Sequence, residues 1–506
     1  MLIEVNRRRM LKYTLLLLIV LAFPGLNIGI MPAEGEPTPP NFVLIIGDDI
    51  SYDDFGCYGH PTIQTPNIDG LSASGVRFTN AYLTTSSCSP TRTSLITGRY
   101  PHNTGAPELH QGDLPHLGNL PQFPHLLREA GYYTAQAGKW HFNGDVSKSF
   151  DARIGGSPSG AENWIPTLRQ RPKDQPFFMW FAALDGHRPW DQPLSAGPHG
   201  PEDVQIPPYQ IDGTATREDL AHYYNEVHRF DANIGRVINE LKRQGVYHNT
   251  VIIVMADNGR PFPRDKTWLY DSGIKTPLVV HWPVGISQAT TPRGLVSSID
   301  LAPTILELAG VETPPTFQGV SLVPLLRESD NRVRDFVFAE RNWHTQRYHG
   351  RMVRHGNFVY IRCNLPQLTG FNFVHFSKDN QLAYSELVDH WRMGKVTATQ
   401  KEVIETPQPS EMLFNVAVDS LQLNNLARES AYAVKLEMLR SALDQWTKET
   451  GDTQPKLEDM TPDRNDRETW MPVPGLTGHP EGGTDWPGLA TKAWTINHPG
   501  PIKEGG

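Results

Sequence analysis

The chain has 506 residues, with 46 lysines and arginines against 55 aspartates and glutamates and a formal net charge of −9. This balance, with no basic block after the first residues and no RNA- or DNA-binding motif, argues against a nucleic-acid partner. Three cysteines are an odd number, so no disulfide framework can use all of them. A pairing of Cys57 with Cys363 stays open, and Cys88 is either a small buried apolar residue or a special free thiol.

The first 40 residues predict export. Arginines at positions 7–9 precede an apolar run from Leu15 to Phe23, which ends before Pro24. A positive start and a short apolar run are typical of a secretory signal, so we assign residues 1–33 to a signal peptide and 34–40 to a linker. The run is shorter than the roughly 20 apolar residues of a spanning helix, so a retained membrane anchor is the weaker alternative. We therefore expect a secreted or periplasmic protein without stable membrane insertion after signal cleavage.

Apolar runs and helical segments alternate through the next part of the chain. Helical spacing marks residues 123–131, 216–245 with Thr216 as its cap, and the segment after Ser298. Continuous apolar runs suit strands that are buried on both faces, and there are four: 41–46, 132–137, 176–184 and 250–256. The alternation predicts an α/β fold, a large mixed, mainly parallel sheet flanked by helices.

The character of the sequence changes near residue 330. We assign residues 41–330 to a catalytic domain. Residues 331–451 contain short strand-like runs and an amphipathic helix at 430–451, which predict a smaller C-terminal α+β subdomain. Residues 452–506 are rich in Pro, Gly, Asp and Trp and are expected to form an irregular tail.

Each of the four apolar runs ends in a polar cluster. Ligands of open α/β sheets bind beyond the carboxyl ends of the strands. Taken singly, an Asp-Asp pair can cap a helix, a histidine can be structural, and Asp-Asn-Gly is a common turn. Four clusters at four strand ends instead predict one shared site. Its candidate residues are Asp48, Asp49, Lys139, His141, His187, Asp257 and Asn258.

The residue types at these strand ends define a chemistry. Asp48, Asp49, Asp257 and Asn258 offer only oxygen ligands, which suit Ca²⁺ or Mg²⁺ rather than zinc. A metal ion flanked by Arg and Lys can clamp a sulfate or phosphate, and a histidine can protonate a leaving oxygen. The basic candidates are Arg92, Lys139, His141, His187, Lys266 and Lys275. These residues predict a metal-assisted hydrolase of an anionic ester and leave the nucleophile open.

Several motifs resemble those of one known family. Residues 88–99, "CSPTRTSLITGR", resemble the signature of the type I, formylglycine-dependent sulfatases of the alkaline-phosphatase-like superfamily. "NFVLIIGDDISYDDFGCYG" at 41–59 is similar to their N-terminal metal motif, "GKWH" at 138–141 to their second signature, and "ADNG" at 256–259 to their late metal motif. The resemblance covers residues 40–430 and implies the fold of that superfamily.

The resemblance implies a role for each site residue. A maturation enzyme would read Cys88, Pro90 and Arg92 and oxidise Cys88 to formylglycine, also called 3-oxoalanine. One hydroxyl of its hydrate would attack sulfur, and the other would help to expel sulfate. One Ca²⁺ per chain would be held by Asp48, Asp49, Asp257 and Asn258, with an oxygen of modified Cys88 completing the site.

The remaining roles also follow from the resemblance. Arg92 and Lys139 would bind the formylglycine and metal side, and His141 would act as a base. His187 would contact sulfate and protonate the leaving group, although "DGHRPW" at 185–190 departs from the usual Pro-His-x-Pro pattern. Lys266 is the expected last cation of the site, Lys275 is expected to be structural, and so is Cys57.

The substrate class follows from "DNGRPFPRDKTWLY" at 257–270, which resembles heparan N-sulfatases and bacterial sulfatases of polysaccharides such as ulvan. We expect hydrolysis of O-sulfate on polysaccharide-derived oligosaccharides, with cleavage of N-sulfate on glucosamine as the alternative. Arg can bind a uronate carboxylate and aromatic rings can stack on sugars. Candidate sugar contacts, each with a surface or core role as the alternative, are Trp140, Trp190, His110, Arg188, Arg260 and Arg264.

Two other classes of function are weighed against the sulfatase. A phosphatase or phosphodiesterase of the same superfamily would carry Ser or Thr as nucleophile and usually two zinc sites with more His and Asp ligands. A catalytically inactive sugar-binding protein would be expected to lack part of the site. Cys88, the oxygen-rich ligand set and the complete set of motifs argue against both.

Overall fold

The structure is a computed structural model that describes residues 38–109, 115–344, 348–368, 381–454 and 493–505, without the side chains of 115 and 116. The predicted signal peptide, His110 and most of the predicted tail lie outside these residues. The described residues from Pro39 onward belong to one compact unit. Within the described residues, no helix is long and apolar enough to cross a membrane.

Thirteen strands and twelve helices occur in the described residues. The strands are β1 (Asn41–Gly47), β2 (Val76–Phe78), β3 (Ala81–Tyr82), β4 (Tyr133–Gly138), β5 (Ala152–Ile154), β6 (Phe177–Ala182), β7 (Thr250–Ala256), β8 (Leu278–His281), β9 (Val296–Ser297), β10 (Phe336–Arg341), β11 (Gly350–His355), β12 (Phe358–Cys363) and β13 (Glu411–Asn415). The helices are α1 (Pro66–Ala73), α2 (Cys88–Thr97), α3 (Pro101–Thr104), α4 (Phe123–Glu129), α5 (Trp164–Gln170), α6 (Thr214–Arg243), α7 (Asp271–Ile274), α8 (Leu301–Leu308), α9 (Val323–Arg327), α10 (Leu382–Arg392), α11 (Ala398–Lys401) and α12 (Ala433–Thr450).

The largest sheet has seven strands in the order β2-β8-β7-β1-β6-β4-β5. The pairs β7–β1, β1–β6, β6–β4 and β4–β5 are parallel, and β8 is antiparallel to both of its neighbours. All four predicted strands are therefore present, and the predicted mixed, mainly parallel sheet is confirmed. The antiparallel β8 was not predicted from the sequence.

Helices cover both faces of this sheet. Leu44 of β1 points to a core that also contains Leu95 of α2 and Ile305 of α8. Its neighbour Ile45 points to the opposite core, together with Val227 of α6. Alternate residues of a strand face opposite sides, so burial on both sides explains why β1 is a continuous apolar run.

A second sheet is antiparallel, in the order β10-β11-β12-β13. Helix α12 covers one of its faces through Leu439, Leu443 and Trp446. The other face packs against Tyr270 and Leu387. This α+β arrangement agrees with the predicted character of residues 331–451, while the boundaries at 330 and 451 stay predictions.

Helix α6 begins two residues earlier than predicted. Gly213 is its N-cap residue, and Thr216 lies within the first turn rather than capping it. The backbone N–H of Thr216 donates to the Glu386 carboxylate of α10, 2.8 Å away. A Cβ on Gly213 would lie 2.0 Å from the same carboxylate, so a side chain of a distant helix decides how α6 starts.

Candidate active site

The strand register aligns the predicted site residues along one edge of the large sheet. Gly47, the last residue of β1, pairs with Ala256, the last residue of β7. Gly138, the last residue of β4, pairs with Ala182, the last residue of β6. The polar residues that follow these four strands therefore leave the sheet at the same edge, as the sequence predicted.

The start of α2 brings Cys88 to this edge. Ser87 is the N-cap residue, and Cys88 is the first helical residue, with its thiol Sγ 3.7 Å from Asp49 Oδ1. Arg92 is four residues further on and lies on the same face of the helix. Its Nε donates to Asp257 Oδ2 at 2.9 Å, so one helix supplies both groups.

The carboxylates around Cys88 form a compact cluster. One ligand atom from each of Asp48, Asp49, Cys88 and Asp257 lies within 4.8 Å of all the others. Asp49 has a φ of 59°, in the left-handed region that a short polar side chain tolerates. Asn258 joins the cluster because its Nδ2 donates to Asp49 Oδ1 at 2.6 Å. All of these residues are buried.

Two oxygens of this cluster lack a hydrogen bond. Asp48 Oδ1 and Asn258 Oδ1 are buried and have no hydrogen-bond partner among the described residues. A buried acceptor without a partner costs about 1–3 kcal/mol, a cost that a bound ion or water molecule would offset. An all-oxygen donor set with unpartnered atoms fits a hard divalent cation such as Ca²⁺.

Three buried cations balance the three carboxylates. Lys139 forms an ion pair with Asp48. Lys266 Nζ lies 2.7 Å from both oxygens of Asp49, and Arg92 pairs with Asp257. The two lysines come from different loops, one after β4 and one after β7. The formal charges of these six side chains cancel.

Burial and charge set the protonation of these groups. Burial raises the pKa of the Cys88 thiol to about 12, so an unmodified thiol is protonated at neutral pH and is a poor nucleophile. Burial alone would lower the pKa of Lys266, but the Asp49 carboxylate outweighs it and the pKa is raised. The pKa of Lys139 is raised in the same way, against its burial, by Asp48.

The two predicted histidines also lie at this edge. A ring nitrogen of half-buried His187 lies within 4.8 Å of ligand atoms of both Asp49 and Cys88. Its Nδ1 donates to the backbone oxygen of Arg188, which places the proton of the neutral ring on Nδ1. His141 follows Lys139 by two residues, is half-buried and has a φ of 39°.

Residues of β10 and of the segment that follows it also reach this site, and the sequence analysis did not identify them. Ser87 Oγ lies 2.8 Å from Nδ1 of His344, and both residues are buried. The backbone N–H of Glu340 donates to the oxygen of Thr84 at 2.8 Å. The signal in the sequence was the polar stretch after the apolar run 336–339. Because β10 belongs to an antiparallel sheet, the rule for parallel strand ends did not point to it.

The candidate sugar-binding arginines lie inside the protein. Arg188 donates to both oxygens of Asp219, at 2.5 and 2.7 Å. Arg260 pairs with Asp53 and Asp54. Arg264 stacks on Tyr270, with its guanidinium 3.6 Å from the ring centroid. All three are buried, so their geometry favours the core role over sugar contact.

The other candidates are less enclosed or lie elsewhere. Trp140 is half-buried, with the Arg153 guanidinium 3.7 Å from its ring centroid. Trp190 is half-buried and donates from Nε1 to Asp219 at 2.7 Å. The ammonium of Lys275 lies 4.1 Å from the ring centroid of Tyr52. Cys57 and Cys363 are free thiols, so the pairing left open above does not form.

Comparisons with known proteins agree with this geometry. The sulfatase family model matches residues 40–164 and 159–311. A second model, described as N-sulphoglucosamine sulphohydrolase, C-terminal, matches residues 262–389. The first match spans more than half of the chain.

Curated relatives and solved structures add detail. An ulvan-active sulfatase of Formosa agariphila is 27% identical over 469 residues, covering 82% of this chain and 76% of the relative. Human N-sulphoglucosamine sulphohydrolase is 29% identical over 467 residues, covering 82% and 91%. A solved structure in complex with its substrate D-glucosamine-2-N,6-O-disulfate has a TM-score of 0.63 at 21% identity, covering 82% of this chain and 99% of that one. The fold is alkaline-phosphatase-like, and the chain belongs to the sulfatase family of sulfuric ester hydrolases.

Proposed function

We propose that the protein is an exported sulfatase that hydrolyses sulfate esters on oligosaccharides derived from sulfated polysaccharides of the ulvan or glycosaminoglycan type. Its nucleophile is formylglycine made from Cys88 by a maturation enzyme, and its metal is one Ca²⁺. The observation that carries this proposal is the buried cluster in which Cys88 lies among Asp48, Asp49 and Asp257.

The donor set supports the metal. Asp48, Asp49, Asp257 and Asn258 would hold the ion, together with an oxygen at position 88. Their unpartnered oxygens are the ones that a cation would satisfy. When present, Ca²⁺ polarises a sulfate oxygen, and formylglycine supplies a nucleophilic oxygen with a second oxygen as the exit route.

Charge explains why such a site binds an anionic ester. The three carboxylates and three cations of the cluster cancel, so a bound divalent ion leaves the site with an excess of two positive charges. A sulfate monoester carries one negative charge and free sulfate carries two. In a buried, water-poor site this complementarity is strong.

The flanking side chains complete the reaction. Arg92 and Lys139 hold Asp257 and Asp48 in place. Lys266, anchored on Asp49, faces the same cluster and binds a sulfate oxygen. In its protonated form His187 donates a proton to the leaving sugar oxygen, and His141 accepts the proton released at position 88.

Cleavage of an N-sulfate is the second candidate. It is supported by the match of residues 262–389 to a model named for N-sulphoglucosamine sulphohydrolase and by the human relative of that name. The two reactions share the sulfur chemistry and differ in the leaving atom, which is oxygen in an ester and nitrogen in a sulfamate. Substrate preference therefore separates them.

The test combines mass and activity on protein from a host that makes the maturation enzyme. Conversion of Cys88 to formylglycine lowers the mass of its peptide by about 18 Da. The same sample is assayed on O-sulfated oligosaccharides, N-sulfated glucosamine and an aryl phosphate, with Cys88→Ala as control. We expect the mass loss and release of sulfate from the O-sulfated sugars. An unmodified thiol together with turnover of the phosphate ester would refute the mechanism.

Export is tested separately. The proposal rests on the signal-like N-terminus, and residues 1–33 should be absent from protein recovered outside the cytoplasm. N-terminal sequencing of the secreted or periplasmic fraction gives the answer. An intact N-terminus on protein that sediments with the membrane would favour the retained anchor instead.

A further inference from the structure

A cavity of about 590 Å³ lies at the end of the second sheet that is far from Cys88. Its walls come from segments 291–295, 329–335 and 354–357, together with Asn80. Strand β10 runs from the cavity towards the active site. Its first residue, Phe336, pairs with His355 of β11 beside the cavity, and Glu340 lies near the opposite end of the strand. Glu340 is the residue that contacts the loop before Cys88. At roughly 3.3 Å per residue, the step from Phe336 to Glu340 along β10 separates the two places by about 13 Å.

The lining of this cavity contains four arginines and two aspartates. The charged lining residues are Arg293, Arg332, Arg334, Arg354, Asp330 and Asp335. Arg334 is buried and paired with Asp300. Arg293 and Arg332 are exposed and have no ion-pair partner in the part of the chain that the structure describes. Arg293 and Arg332 are therefore the guanidinium groups of the lining that are left for an anionic ligand.

Arg354 makes the wall of the cavity rigid. It is 3% exposed, and its guanidinium donates to Asn80 Oδ1 at 3.2 Å and to the oxygen of Gly356 at 2.9 Å. Its only carboxylate neighbour within 4 Å among the described residues is Asp271, at 3.3 Å. Burial lowers the pKa of Arg354 to about 10. An anion bound beside Arg354 would oppose this shift.

The C-terminal segment already places a carboxylate at the rim. Glu504 Oε1 lies 2.7 Å from Nε2 of His355. The Glu504 backbone N–H donates to Asp335 Oδ2 at 3.1 Å, and the oxygen of Ile502 accepts from the N–H of Asp335 at 2.8 Å. The rim therefore accommodates an acidic group, and Glu504 would repel an incoming anion.

We propose that this cavity is a second binding site for sulfated oligosaccharide, in which Arg293, Arg332 and Arg354 bind sulfate or carboxylate groups. Only the identity of the saccharide rests on the proposed function. The planar guanidinium forms paired hydrogen bonds with both kinds of anionic group. The volume lies in the range of about 300–1,000 Å³ that is typical of ligand sites. A polymer held at this cavity has a higher local concentration near Cys88. The gain in affinity should therefore be larger for long saccharide chains than for short ones.

Direct binding is the first test. The full chain with Cys88→Ala, which cannot consume its ligand, is titrated calorimetrically with sulfated ulvan oligosaccharides, with their desulfated counterparts and with sodium sulfate at equal ionic strength. We expect two classes of site for the sulfated sugar. Adding Arg293→Ser and Arg332→Ser should weaken one class about tenfold and leave the other unchanged. Glu504→Gln should tighten the same class about twofold.

Arg236→Ser is the matched control, because Arg236 is an exposed arginine on α6 that lies outside the cavity. If Arg236→Ser weakened binding of the sulfated sugar as much as the double variant does, overall charge would explain the effect, and the proposal would be overturned. If sodium sulfate bound as tightly as the sulfated sugar, the cavity would hold an adventitious ion only, which would overturn the proposal. Unchanged binding of the sulfated sugar in the double variant would overturn it as well. Because binding is measured without turnover, an inactive enzyme would refute the proposed function and leave this result standing.

Kinetics give the second test, on the mature enzyme. The double variant should raise KM about fivefold for long sulfated chains and leave KM for a sulfated monosaccharide unchanged, with kcat unchanged for both. A monosaccharide can fill only the catalytic site. An equal rise of KM for both substrates would mean a disturbed active site and would contradict a separate second site.

Discussion

Two groups of buried charges near the carboxyl edge of the large sheet differ in how well their oxygens are satisfied. Asp219 accepts two hydrogen bonds from Arg188, one from Trp190 Nε1 and one from the backbone N–H of Ala383. In the cluster around Cys88, Asp48 Oδ1 and Asn258 Oδ1 accept none among the described residues. Both groups are buried and balanced in charge, so burial and charge alone do not distinguish a structural ion pair from a reactive site.

The difference has a physical meaning. A fully satisfied ion pair is complete within the protein, and removing one partner leaves a buried charge without compensation. An unsatisfied cluster is complete only when a ligand is bound, and its stability should therefore depend on that ligand. Four experiments test this distinction.

Cys88→Ala should abolish sulfatase activity, with kcat/KM falling by at least about 10⁴-fold, because the nucleophile is lost. The free energy of unfolding should fall by only about 1 kcal/mol, since a small side chain is removed. Sulfate release and urea unfolding measure the two quantities. Substantial residual activity in this variant would exclude Cys88 as the precursor of the nucleophile.

Asp219→Ala should lower the free energy of unfolding by about 3–5 kcal/mol, because Arg188 remains buried without its partner. Urea unfolding with and without Ca²⁺ measures the loss. The increase in stability on adding Ca²⁺ should be the same as in the wild type. If the variant were as stable as the wild type, the Arg188–Asp219 pair would not be the structural element described above.

Adding Ca²⁺ to the metal-free protein should raise the free energy of unfolding by about 2.7 kcal/mol at a concentration one hundred times the dissociation constant. Asn258→Ala removes one unpartnered oxygen and should weaken this increase. Thermal unfolding over a series of Ca²⁺ concentrations follows both proteins, with Asp219→Ala as the matched structural variant. An unchanged response in Asn258→Ala would argue against Asn258 as a ligand.

Lys275→Met should leave the activity nearly unchanged, since it removes a contact of the ammonium with the Tyr52 ring, about 0.5–1 kcal/mol, and a charge interaction with Asp271. Lys266→Met removes the ammonium that lies 2.7 Å from Asp49 and should lower kcat/KM by about 10²–10³-fold. Steady-state kinetics on the two variants side by side make this comparison. A larger effect at position 275 would reverse the assignment of the two lysines.

Much of the candidate site could be predicted from the sequence because its signals are local. Each apolar run is followed directly by its polar residues, and the parallel pairing of the central strands brings them to one edge. Cys88 and Arg92 lie four residues apart, a spacing that a helix converts into one face. Lys266 was predicted to be the last cation of the site, and the structure places its ammonium against Asp49.

Other features depended on contacts between distant parts of the chain. Arg188 and Arg264 are polar in the sequence, and only their partners in the fold show that they are buried. Thr216 was predicted to be the N-cap of α6, but the helix begins at Thr214, and the backbone N–H of Thr216 donates to the carboxylate of Glu386. His344 reaches Ser87 across 257 residues, from a sheet whose antiparallel pairing the sequence did not indicate.

The sequence by itself determined the central strands, the oxygen-rich ligand set and the motif around Cys88, because these depend on neighbours within a few residues. Only the tertiary structure decided which buried charges are satisfied, which oxygens are left for a cation, and where Arg293, Arg332 and Arg354 meet around a cavity. The physical reason is that a hydrogen bond or an ion pair depends on distance in space, and folding sets that distance between residues that are far apart in the chain.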